Sequence, residues 1–362
     1  MRGQDMQTVT VNTPSGRYDV VVGRGLLESV GERTRAAAGG ETAFVVSNVN
    51  VSPLYGERVA SSLGDAGYRV ASMTVGAGES IKNMYELMGI LDRMADAGMT
   101  RDDVVVALGG GVVGDLAGFA AAVYMRGCKV VQVPTSLLAM VDSSVGGKTG
   151  VDLRAGKNLA GAFFQPRAVI ADLDCLSTID RHLLTDSCGE VLKYGVMCDP
   201  DLFEALSRSP INEGDLAFDR LTQVVTRCVE IKRDVVDADE REGGIRQTLN
   251  LGHTIGHAIE AASEYRLGHG SCVAAGMCFM ARACARLGRC SDRTAEKIVD
   301  AVGRYGLPIT SAVPTETLFD RALSDKKRHG SRMNVVTIRD IGVVDVEGVS
   351  LDEFRQMIEL GR

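Results

Sequence analysis

The strongest chemical signal in this sequence is a pair of histidines, His253 and His257, in a chain that contains only five. Because they stand four positions apart, both imidazoles fall on one face of a predicted helix. Asn250 and Glu260 share that face and make it too polar for ordinary core, where buried polar groups need partners. His269 opens a second apolar segment, so a helix, a turn and a helix could bring it close to His253. Since neutral imidazole is the commonest metal ligand, this pattern indicates a metal site.

A metal site of this kind also needs a carboxylate or a thiolate. Glu190, one predicted helical turn before Lys193, is the candidate, because two histidines and a glutamate make a catalytic zinc set with an open position. Thr254 follows His253 where a zinc protease motif has glutamate, so that class is not indicated. Two alternatives stay open. Paired helical histidines are more often core or surface residues than ligands, and Glu190 with Lys193 could form an exposed ion pair of little energetic value.

A second cluster, rich in glycine and in cations, extends from Val141 to Gly161. A solvated loop is the simpler interpretation of any single lysine in it. Several cations among glycines, however, suit a doubly anionic substrate that carries a carboxylate and a phosphate. The polar residues of this cluster are Asp142, Lys148, Lys157 and Asn158, with Arg126 before it and Lys193 after it.

A glycine-rich turn, Gly109–Asp115, follows the predicted buried strand Asp103–Leu108 and precedes an alanine-rich helix. Glycines let backbone N–H groups approach an anion, and the helix N-terminus adds a partial positive charge. The turn lacks the spacing of a dinucleotide fingerprint, so a tight turn without a ligand remains an alternative. Pro134–Leu138 supplies hydroxyl groups at the end of another strand, and ligands of parallel sheets gather at such ends.

Alternating strands and helices in the first half of the chain predict an α/β domain with a Rossmann-like, mostly parallel sheet. The predicted strands are Glu41–Ser47, Tyr68–Val75, Asp103–Leu108 and Val130–Val133, and the predicted helices include Tyr55–Ala66 and Ile81–Ala97. From Leu183 to Leu287 helical periodicity dominates, with short strands later, near Asn334–Ile338 and Val343–Val346. We therefore predict an α/β domain at residues 1–180 and a mainly helical domain at residues 181–362.

Composition limits the classes of protein that fit. The net charge of -7 and the scattered lysines argue against a nucleic-acid surface. No apolar run reaches the roughly 18 residues of a membrane span, and the first residues lack the apolar core of a signal peptide. The nine cysteines include no Cys-x-x-Cys pair, which favours reduced thiols and a cytoplasmic protein.

Six segments in combination resemble the 3-dehydroquinate synthase family, a member of the sugar-phosphate cyclase superfamily. They are Gly109–Asp115, Tyr124–Gly127, Pro134–Lys148, Gly156–Phe163, Glu190–Gly195 and Arg246–Glu260. The similarity extends from Tyr18 to Asp325–Lys327 and covers nearly the whole chain. It implies the dehydroquinate synthase-like fold, in which the first domain binds NAD and the second binds a metal and the substrate.

The resemblance implies site residues position by position. Zinc, which cobalt could replace, is implied at Glu190, His253 and His269, so His257 becomes an active-site group instead of a ligand. The implied NAD-binding residues are Asn48, Glu79, Lys82, Gly110, Gly111, Val112, Asp115, Thr135, Ser136, Leu138, Lys148, Lys157 and Thr178. The implied substrate-binding residues are Arg126, Asp142, Lys148, Lys157, Asn158, Lys193, Lys232, Arg246, Asn250, His257 and one or both of Lys326 and Lys327. The implied catalytic residues are His257, Lys148, Asn158, Lys193, Arg246, Asn250 and Glu242.

The implied reaction converts 3-deoxy-D-arabino-heptulosonate 7-phosphate to 3-dehydroquinate and phosphate, a lyase reaction of the shikimate pathway. It proceeds by transient NAD-dependent oxidation, phosphate elimination, reduction, ring opening and an intramolecular aldol closure. A homodimer is also implied. Asn48 stands where the family usually has aspartate, which leaves the choice of NAD over NADP open. The alternatives are another sugar-phosphate cyclase, a polyol dehydrogenase of the same fold, and a non-catalytic NAD-binding protein.

Overall fold

The structure, a computed structural model, describes residues 6–264, 266–323, 328–329 and 332–362. The strands are β1 Gln7–Thr13, β2 Gly16–Gly23, β3 Thr42–Asn48, β4 Arg69–Val75, β5 Val104–Gly109, β6 Lys129–Pro134, β7 Lys148–Leu153, β8 Gly156–Phe163, β9 Ala168–Asp172, β10 Arg328–His329, β11 Arg332–Asp340 and β12 Val343–Ser350. The helices are α1 Val30–Ala38, α2 Glu57–Asp65, α3 Met84–Asp96, α4 Gly111–Val123, α5 Arg181–Cys198, α6 Pro200–Arg208, α7 Phe218–Ala238, α8 His253–Ala262, α9 His269–Arg286, α10 Asp292–Arg304, α11 Thr315–Leu323 and α12 Leu351–Leu360.

The chain forms two compact units, each continuous in space but not in sequence. The first comprises Met1–Ile179 and Phe218–Glu240, and the second comprises Asp180–Ala217 and Arg241–Arg362. No helix in the described ranges combines the length and the apolar character that a membrane crossing requires.

The first unit is organised around one sheet, in which the described residues contribute strands in the order β1-β2-β9-β6-β5-β3-β4. Every neighbouring pair is parallel except β1 and β2, which form an antiparallel hairpin. Parallel strands are covered on both faces, which explains why all residues of β5 are buried. The predicted mostly parallel sheet is confirmed. Strands β1, β2 and β9 and the separate β7–β8 hairpin were not predicted from the sequence.

Helix α7 belongs to the first unit, although the predicted boundary at residue 180 assigns it to the second domain. Asp237 near its end accepts a hydrogen bond from the backbone N–H of Asn12 in β1 at 2.8 Å. At its start, the guanidinium of Arg24 lies 4.1 Å from the centre of the Phe218 ring. Helical periodicity identifies a helix but not the element against which its apolar face packs, so a boundary drawn from periodicity misplaces this segment.

The second unit contains α5, α6 and α8 to α12, together with the antiparallel strands β10, β11 and β12. The predicted mainly helical character is confirmed, and β11 and β12 occupy the predicted positions of the two late strands. Helix α9 is buried along most of its length, which fits its sequence of alanine, glycine, cysteine and methionine. Helix α9 packs against both α5 and α8, and these three helices carry the acid and the histidines singled out above.

The start of the sheet is held by one buried carboxylate, Asp103, which is 3% exposed. Its oxygens accept hydrogen bonds from the backbone N–H groups of Glu41, Thr42 and Thr100, at 3.0, 2.7 and 2.7 Å. Burial alone would raise the pKa of Asp103, but these N–H groups outweigh burial and lower it. The carboxylate therefore fixes the beginning of β3 next to the beginning of β5.

We expect Asp103→Asn to lower the free energy of unfolding by about 1–3 kcal/mol at neutral pH, because charge-assisted hydrogen bonds are lost. The folded-state pKa lies below the unfolded value of about 3.9, so this stabilisation is present above that pH and is lost as the pH falls through the folded pKa. Urea unfolding at several pH values measures the difference. Asp102→Asn, at the exposed neighbouring position, should change stability by no more than about 0.5 kcal/mol. Equal effects of the two substitutions would contradict this role for Asp103.

Candidate metal and substrate site

The second unit brings Glu190 of α5 together with the first residues of α8 and α9. Glu190 is 0% exposed, and its Oε1 lies 3.3 Å from Nε2 of His253 and 3.3 Å from Nε2 of His269. Lys193, one turn further along α5 and 1% exposed, makes a close ion pair with Oε2 of Glu190. Glu190 and Lys193 are thus not a surface ion pair, and the helix–turn–helix of α8 and α9 places the two histidines as predicted.

The protonation of His253 follows from its neighbours. Its Nδ1 lies 3.1 Å from the carbonyl oxygen of Leu251. A carbonyl only accepts, so Nδ1 carries the hydrogen and the neutral ring has its lone pair on Nε2. That lone pair faces the Glu190 carboxylate, and two acceptors at this distance need a cation between them, either a proton or a metal ion. The donor set of one carboxylate and two imidazole nitrogens therefore fits a divalent cation such as zinc.

The surroundings of His269 also favour positive charge. Its Nδ1 lies 3.6 Å from Oε2 of Glu260, and its Nε2 faces Glu190. Burial lowers the pKa of His269, but the two carboxylates outweigh burial and raise that pKa to about 10. A histidine whose second nitrogen faces a carboxylate is the usual arrangement around a bound metal. Glu260 was predicted to lie on the polar face of α8, but no role was predicted for it; its position three residues after His257 was the available signal.

His257 lies beside this set. Its ring centre is 5.3 Å from that of His253 and 5.8 Å from that of His269. One nitrogen from each of the three rings lies within 4.8 Å of the others, a spacing that could itself hold a metal ion. The half-buried position of His257 gives it partial contact with solvent. All four residues that the sequence associates with metal chemistry are therefore close together, and their division into ligands and neighbour remains a prediction.

The segment before α8 supplies three more predicted residues, Glu242, Arg246 and Asn250. Arg246 is buried, with 1% exposed, in the helical turn Ile245–Asn250. Asn250 donates a hydrogen bond from Nδ2 to Oε1 of Glu242 at 2.8 Å. Glu242 has a φ of 62°, a left-handed conformation that is costly for a residue with a side chain. Such strain is found mostly where the surrounding structure demands a particular side-chain direction.

A second cluster of predicted residues lies in the first unit, around the buried Lys82. The Nζ of Lys82 is 2.6 Å from Oδ2 of Asp115 and 2.5 Å from Oδ1 of Asn158. Lys157 pairs with Glu79 at 3.0 Å. Burial lowers the pKa of Lys82, but Asp115 and Glu79 outweigh burial and raise it, so the lysine keeps its charge. Residues that the resemblance assigns to cofactor and to substrate thus share one network of hydrogen bonds and ion pairs.

The glycine turn leads from β5 directly into α4, which begins at Gly111. A Cβ at Gly111 would lie 2.9 Å from Oγ of Ser143, so a side chain there would crowd the turn Ala139–Ser143. Ser136 borders the turn from the next strand end, since its Oγ would lie 3.4 Å from a Cβ on Gly110. At the N-terminus of α4 the backbone is therefore bare of side chains at Gly110 and Gly111, and serine hydroxyl groups lie beside it. A phosphate-binding turn requires such an arrangement. The predicted residues Val112, Thr135 and Leu138 belong to the same turn and strand end.

Of the other predicted residues of the first unit, some form ion pairs within the protein and others are exposed to solvent. Asp142 accepts from Nζ of Lys232 at 2.8 Å, which ties the Ala139–Ser143 turn to α7. Lys148 at the start of β7 is exposed, and so is Arg126. Arg126 has a φ of 65° between Met125 and Gly127, which also have positive φ. The hairpin β7–β8 therefore exposes Lys148 to solvent. No secondary structure was predicted for this segment from the sequence.

Two predicted cofactor residues have partners within the protein. Oδ1 of Asn48 accepts hydrogen bonds from the backbone N–H groups of Asn50 and Val51, at 3.1 and 2.9 Å. The hydroxyl of Thr178 contacts the hydroxyl of Tyr55 and lies 3.2 Å from the carbonyl oxygen of Cys175. Asn48 thus terminates β3 by a local turn, whatever further contact it makes. The predicted substrate residues Lys326 and Lys327 lie outside the described residues.

Comparison with known proteins bears on these clusters. One family model, described as 3-dehydroquinate synthase N-terminal, matches residues 72–186, and another, described as 3-dehydroquinate synthase C-terminal, matches residues 187–328. The chain belongs to the 3-dehydroquinate synthase family. Among 3-dehydroquinate synthases, that of Clostridium acetobutylicum is 40% identical over 350 residues, covering 96% of this chain and 98% of its own. That of Caulobacter vibrioides is 43% identical over 362 residues, covering 96% and 98%. The predicted family is confirmed.

Solved structures confirm the dehydroquinate synthase-like fold. A 2-deoxy-scyllo-inosose synthase, complexed with carbaglucose-6-phosphate, NAD+ and Co2+, has a TM-score of 0.88 at 24% identity, covering 97% of this chain and 99% of that chain. A 2-epi-5-epi-valiolone synthase from Streptomyces hygroscopicus, with NAD+ and Zn2+ bound, has a TM-score of 0.85 at 26% identity, covering 95% and 96%. The fold is therefore shared with synthases that carry other names.

The convergence of α5 and α9 depends on glycine, which gives a test of the site's packing. A Cβ at Gly189 would lie 2.1 Å from the carbonyl oxygen of Gly270, so any side chain would push the two helices apart. We expect Gly189→Ala to lower the free energy of unfolding by about 1–3 kcal/mol, as overpacking does. Gly303→Ala is the control, because a Cβ on this helical glycine would meet only a methyl group of Ile309 at 3.8 Å. It should leave stability unchanged or raise it by up to about 1 kcal/mol. Denaturant unfolding gives the stability of both variants. Equal stability of Gly189→Ala and Gly303→Ala would contradict the close approach of α5 and α9.

Proposed function

We propose that this protein is a 3-dehydroquinate synthase, a lyase that converts 3-deoxy-D-arabino-heptulosonate 7-phosphate to 3-dehydroquinate and phosphate within the shikimate pathway. The main support is the buried Glu190 carboxylate with one oxygen 3.3 Å from each of two imidazole nitrogens, next to buried cations. Membership of the family adds the substrate and the reaction. We further propose a homodimer, which the family resemblance implies.

Glu190, His253 and His269 would hold a divalent cation, for which we propose zinc, with cobalt as the possible substitute. NAD would be held at the glycine turn and around Lys82, by the residues Asn48, Glu79, Lys82, Gly110, Gly111, Val112, Asp115, Thr135, Ser136, Leu138, Lys148, Lys157 and Thr178. When bound, the metal supplies a Lewis acid for a substrate hydroxyl, and NAD supplies reversible oxidation.

The residues of the second unit bind and position the substrate in this proposal. His257, beside the three proposed ligands, accepts the proton of a substrate hydroxyl, because a positioned imidazole is the side chain that most often transfers protons in enzymes. Lys193 and Arg246 provide positive charge in a buried setting, where attraction to an anionic substrate is stronger than in water. Asn250, held by Glu242, offers a fixed amide for a substrate oxygen.

The residues of the first unit contribute cations and hydrogen-bond donors. Lys148 and Lys157 belong to the β7–β8 hairpin, and Arg126 lies in the short helical turn Tyr124–Arg126 that follows α4. Asn158 is held by Lys82, and Asp142 is held by Lys232. The side chains of Asn158 and Asp142 are thus held in place before any ligand binds. This reduces the conformational entropy that is lost on binding.

Other enzymes of this fold act on uncharged or differently charged substrates, and the reaction distinguishes them. A cyclase for sedoheptulose 7-phosphate or glucose 6-phosphate has no substrate carboxylate to bind. A polyol dehydrogenase would release NADH, whereas a synthase that reduces its own oxidised intermediate regenerates NAD at each turnover. A non-catalytic NAD-binding protein would bind the cofactor and turn over none of these substrates.

We expect purified protein to release phosphate from 3-deoxy-D-arabino-heptulosonate 7-phosphate with catalytic NAD and no accumulation of NADH. A chelator should abolish this activity and zinc should restore it, because the proposed ligands then regain their cation. Sedoheptulose 7-phosphate and glucose 6-phosphate should react at least about a hundredfold more slowly, since a site built for a polar group rejects analogues that lack it. Phosphate release and NADH absorbance are followed together.

Three results would contradict this proposal in different ways. Comparable rates with sedoheptulose 7-phosphate would assign another cyclase activity. Stoichiometric NADH would indicate a dehydrogenase. Full activity after complete removal of metal would reject the metal set.

His257→Asn tests whether His257 is a metal ligand or an acid–base group beside the ligands. We expect it to retain bound zinc but to lower kcat by about 10²–10⁴-fold, the usual contribution of a positioned acid–base group. His182→Asn, at an exposed histidine in the first turn of α5, should match the unaltered protein in both respects. Metal content and steady-state kinetics are measured on the same samples. If His257→Asn loses zinc as completely as His253→Asn does, His257 is itself a ligand.

A further inference from the structure

The N-terminus of α9, where His269 stands, is capped by a residue of another helix. The N-cap position of α9 is Gly268, which has no side chain to accept from the first N–H groups. Instead, Asp186 of α5 accepts from the backbone N–H of Ser271 through Oδ1 at 2.8 Å and from that of Gly270 through Oδ2 at 3.2 Å. A carboxylate at this place satisfies two N–H groups that would otherwise lack partners and opposes the helix dipole.

The contact is close because two residues at the start of α9, Gly268 and Gly270, lack side chains. A Cβ on Gly268 would lie 2.1 Å from Oδ1 of Asp186, and a Cβ on Gly270 would lie 1.9 Å from its carbonyl oxygen. The backbone of α9 therefore begins against α5 itself. Neither contact is visible as a sequence pattern, since Asp186 and Gly270 are far apart in the chain.

Asp186 stands one helical turn before Glu190. Helix α5 therefore carries the proposed ligand Glu190 and also the residue that anchors α9, whose first residue is the proposed ligand His269. His269 is the first residue of α9, and its side-chain direction depends on the position of the backbone that Asp186 holds. A metal site tolerates displacements of only about 0.5 Å in its ligands. Loss of the anchor would let the first turn of α9 move and would take the imidazole with it.

We propose that Asp186 is a positioning residue of the metal site: it fixes His269 relative to Glu190 through the N-terminus of α9. This inference rests on the proposed ligand set of Glu190, His253 and His269. Asp186 neither touches substrate nor ligates the metal in this role. It acts through the two backbone hydrogen bonds alone.

A matched control separates positioning from ordinary helix capping. Asp180 caps α5 itself, accepting from the backbone N–H of His182 at 2.7 Å, and it holds no proposed ligand in place. Asp186→Ala and Asp180→Ala each remove an aspartate cap of the same unit. Both should lower the midpoint of thermal unfolding of the metal-free full-length protein to a similar extent.

The variants should differ in metal binding. We expect Asp186→Ala to weaken zinc binding by about 10–100-fold, as loss of a residue that orients a ligand does, and Asp180→Ala to keep the affinity of the unaltered protein. Competition with a chromophoric chelator gives the affinities. The visible absorption spectrum with cobalt reports ligand geometry and should change only for Asp186→Ala. Asp186→Asn, which retains one acceptor oxygen, should bind zinc with intermediate affinity.

Each outcome decides a separate question. If Asp186→Ala and Asp186→Asn bind zinc as tightly as the unaltered protein, with the same cobalt spectrum, the positioning role is rejected and the metal site stands. An equal loss of affinity in Asp180→Ala would also reject it, because general destabilisation would then explain the effect. If the unaltered protein binds neither zinc nor cobalt, the proposed metal site fails, and the inference fails with it. Should Asp186→Ala not fold, the comparison is made with Asp186→Asn.

Discussion

The second unit is organised around a carboxylate that has been removed from water entirely. A buried charge is tolerated only when other charged or polar groups compensate for its lost hydration. Glu190 obtains this compensation from Lys193 on its own helix and from His269, and it faces His253 as well; the two histidines begin two other helices. Three helices must therefore converge on one point. Their convergence, more than any feature of a single helix, turns scattered polar residues into a site.

Convergence of this kind constrains the backbone as well as the side chains. A Cβ on Gly276 in α9 would lie 2.0 Å from the carbonyl oxygen of Gly252, just before α8, and a Cβ on Gly256 would lie 2.9 Å from that of Cys272. The two helices therefore approach as closely as backbones allow. This approach brings the ring centres of His253 and His269 to 5.3 Å. Glycine in this unit serves packing around the site, whereas in the first unit the glycine turn leaves backbone N–H groups accessible.

The sequence predicted the alternating elements of the first unit, the helical second unit and the proximity of His253 and His269. These predictions rest on periodicity, on short spacings within one helix and on motif resemblance, all of which are local properties. It did not predict the place of α7, because the partner of an apolar helix face is set by packing between distant segments. For the same reason the contact of Asp186 with the start of α9 could not be predicted. The β7–β8 hairpin was missed because its cations and glycines mask the alternation that marks a strand.

Backbone strain gives evidence for the site that does not depend on any resemblance. Among the described residues, five that are not glycine have positive φ: Met125, Arg126, Asn158, Glu242 and Glu264. Three of them, Arg126, Asn158 and Glu242, are predicted site residues. Each such conformation costs of the order of 1 kcal/mol or more, so a stable fold keeps it only where other contacts impose it. The side chain of Asn158 is held by its hydrogen bond with the buried Lys82, and that of Glu242 by its hydrogen bond with Asn250. Three of the five strained positions thus coincide with predicted site residues, and functional sites are where structures most often keep such conformations.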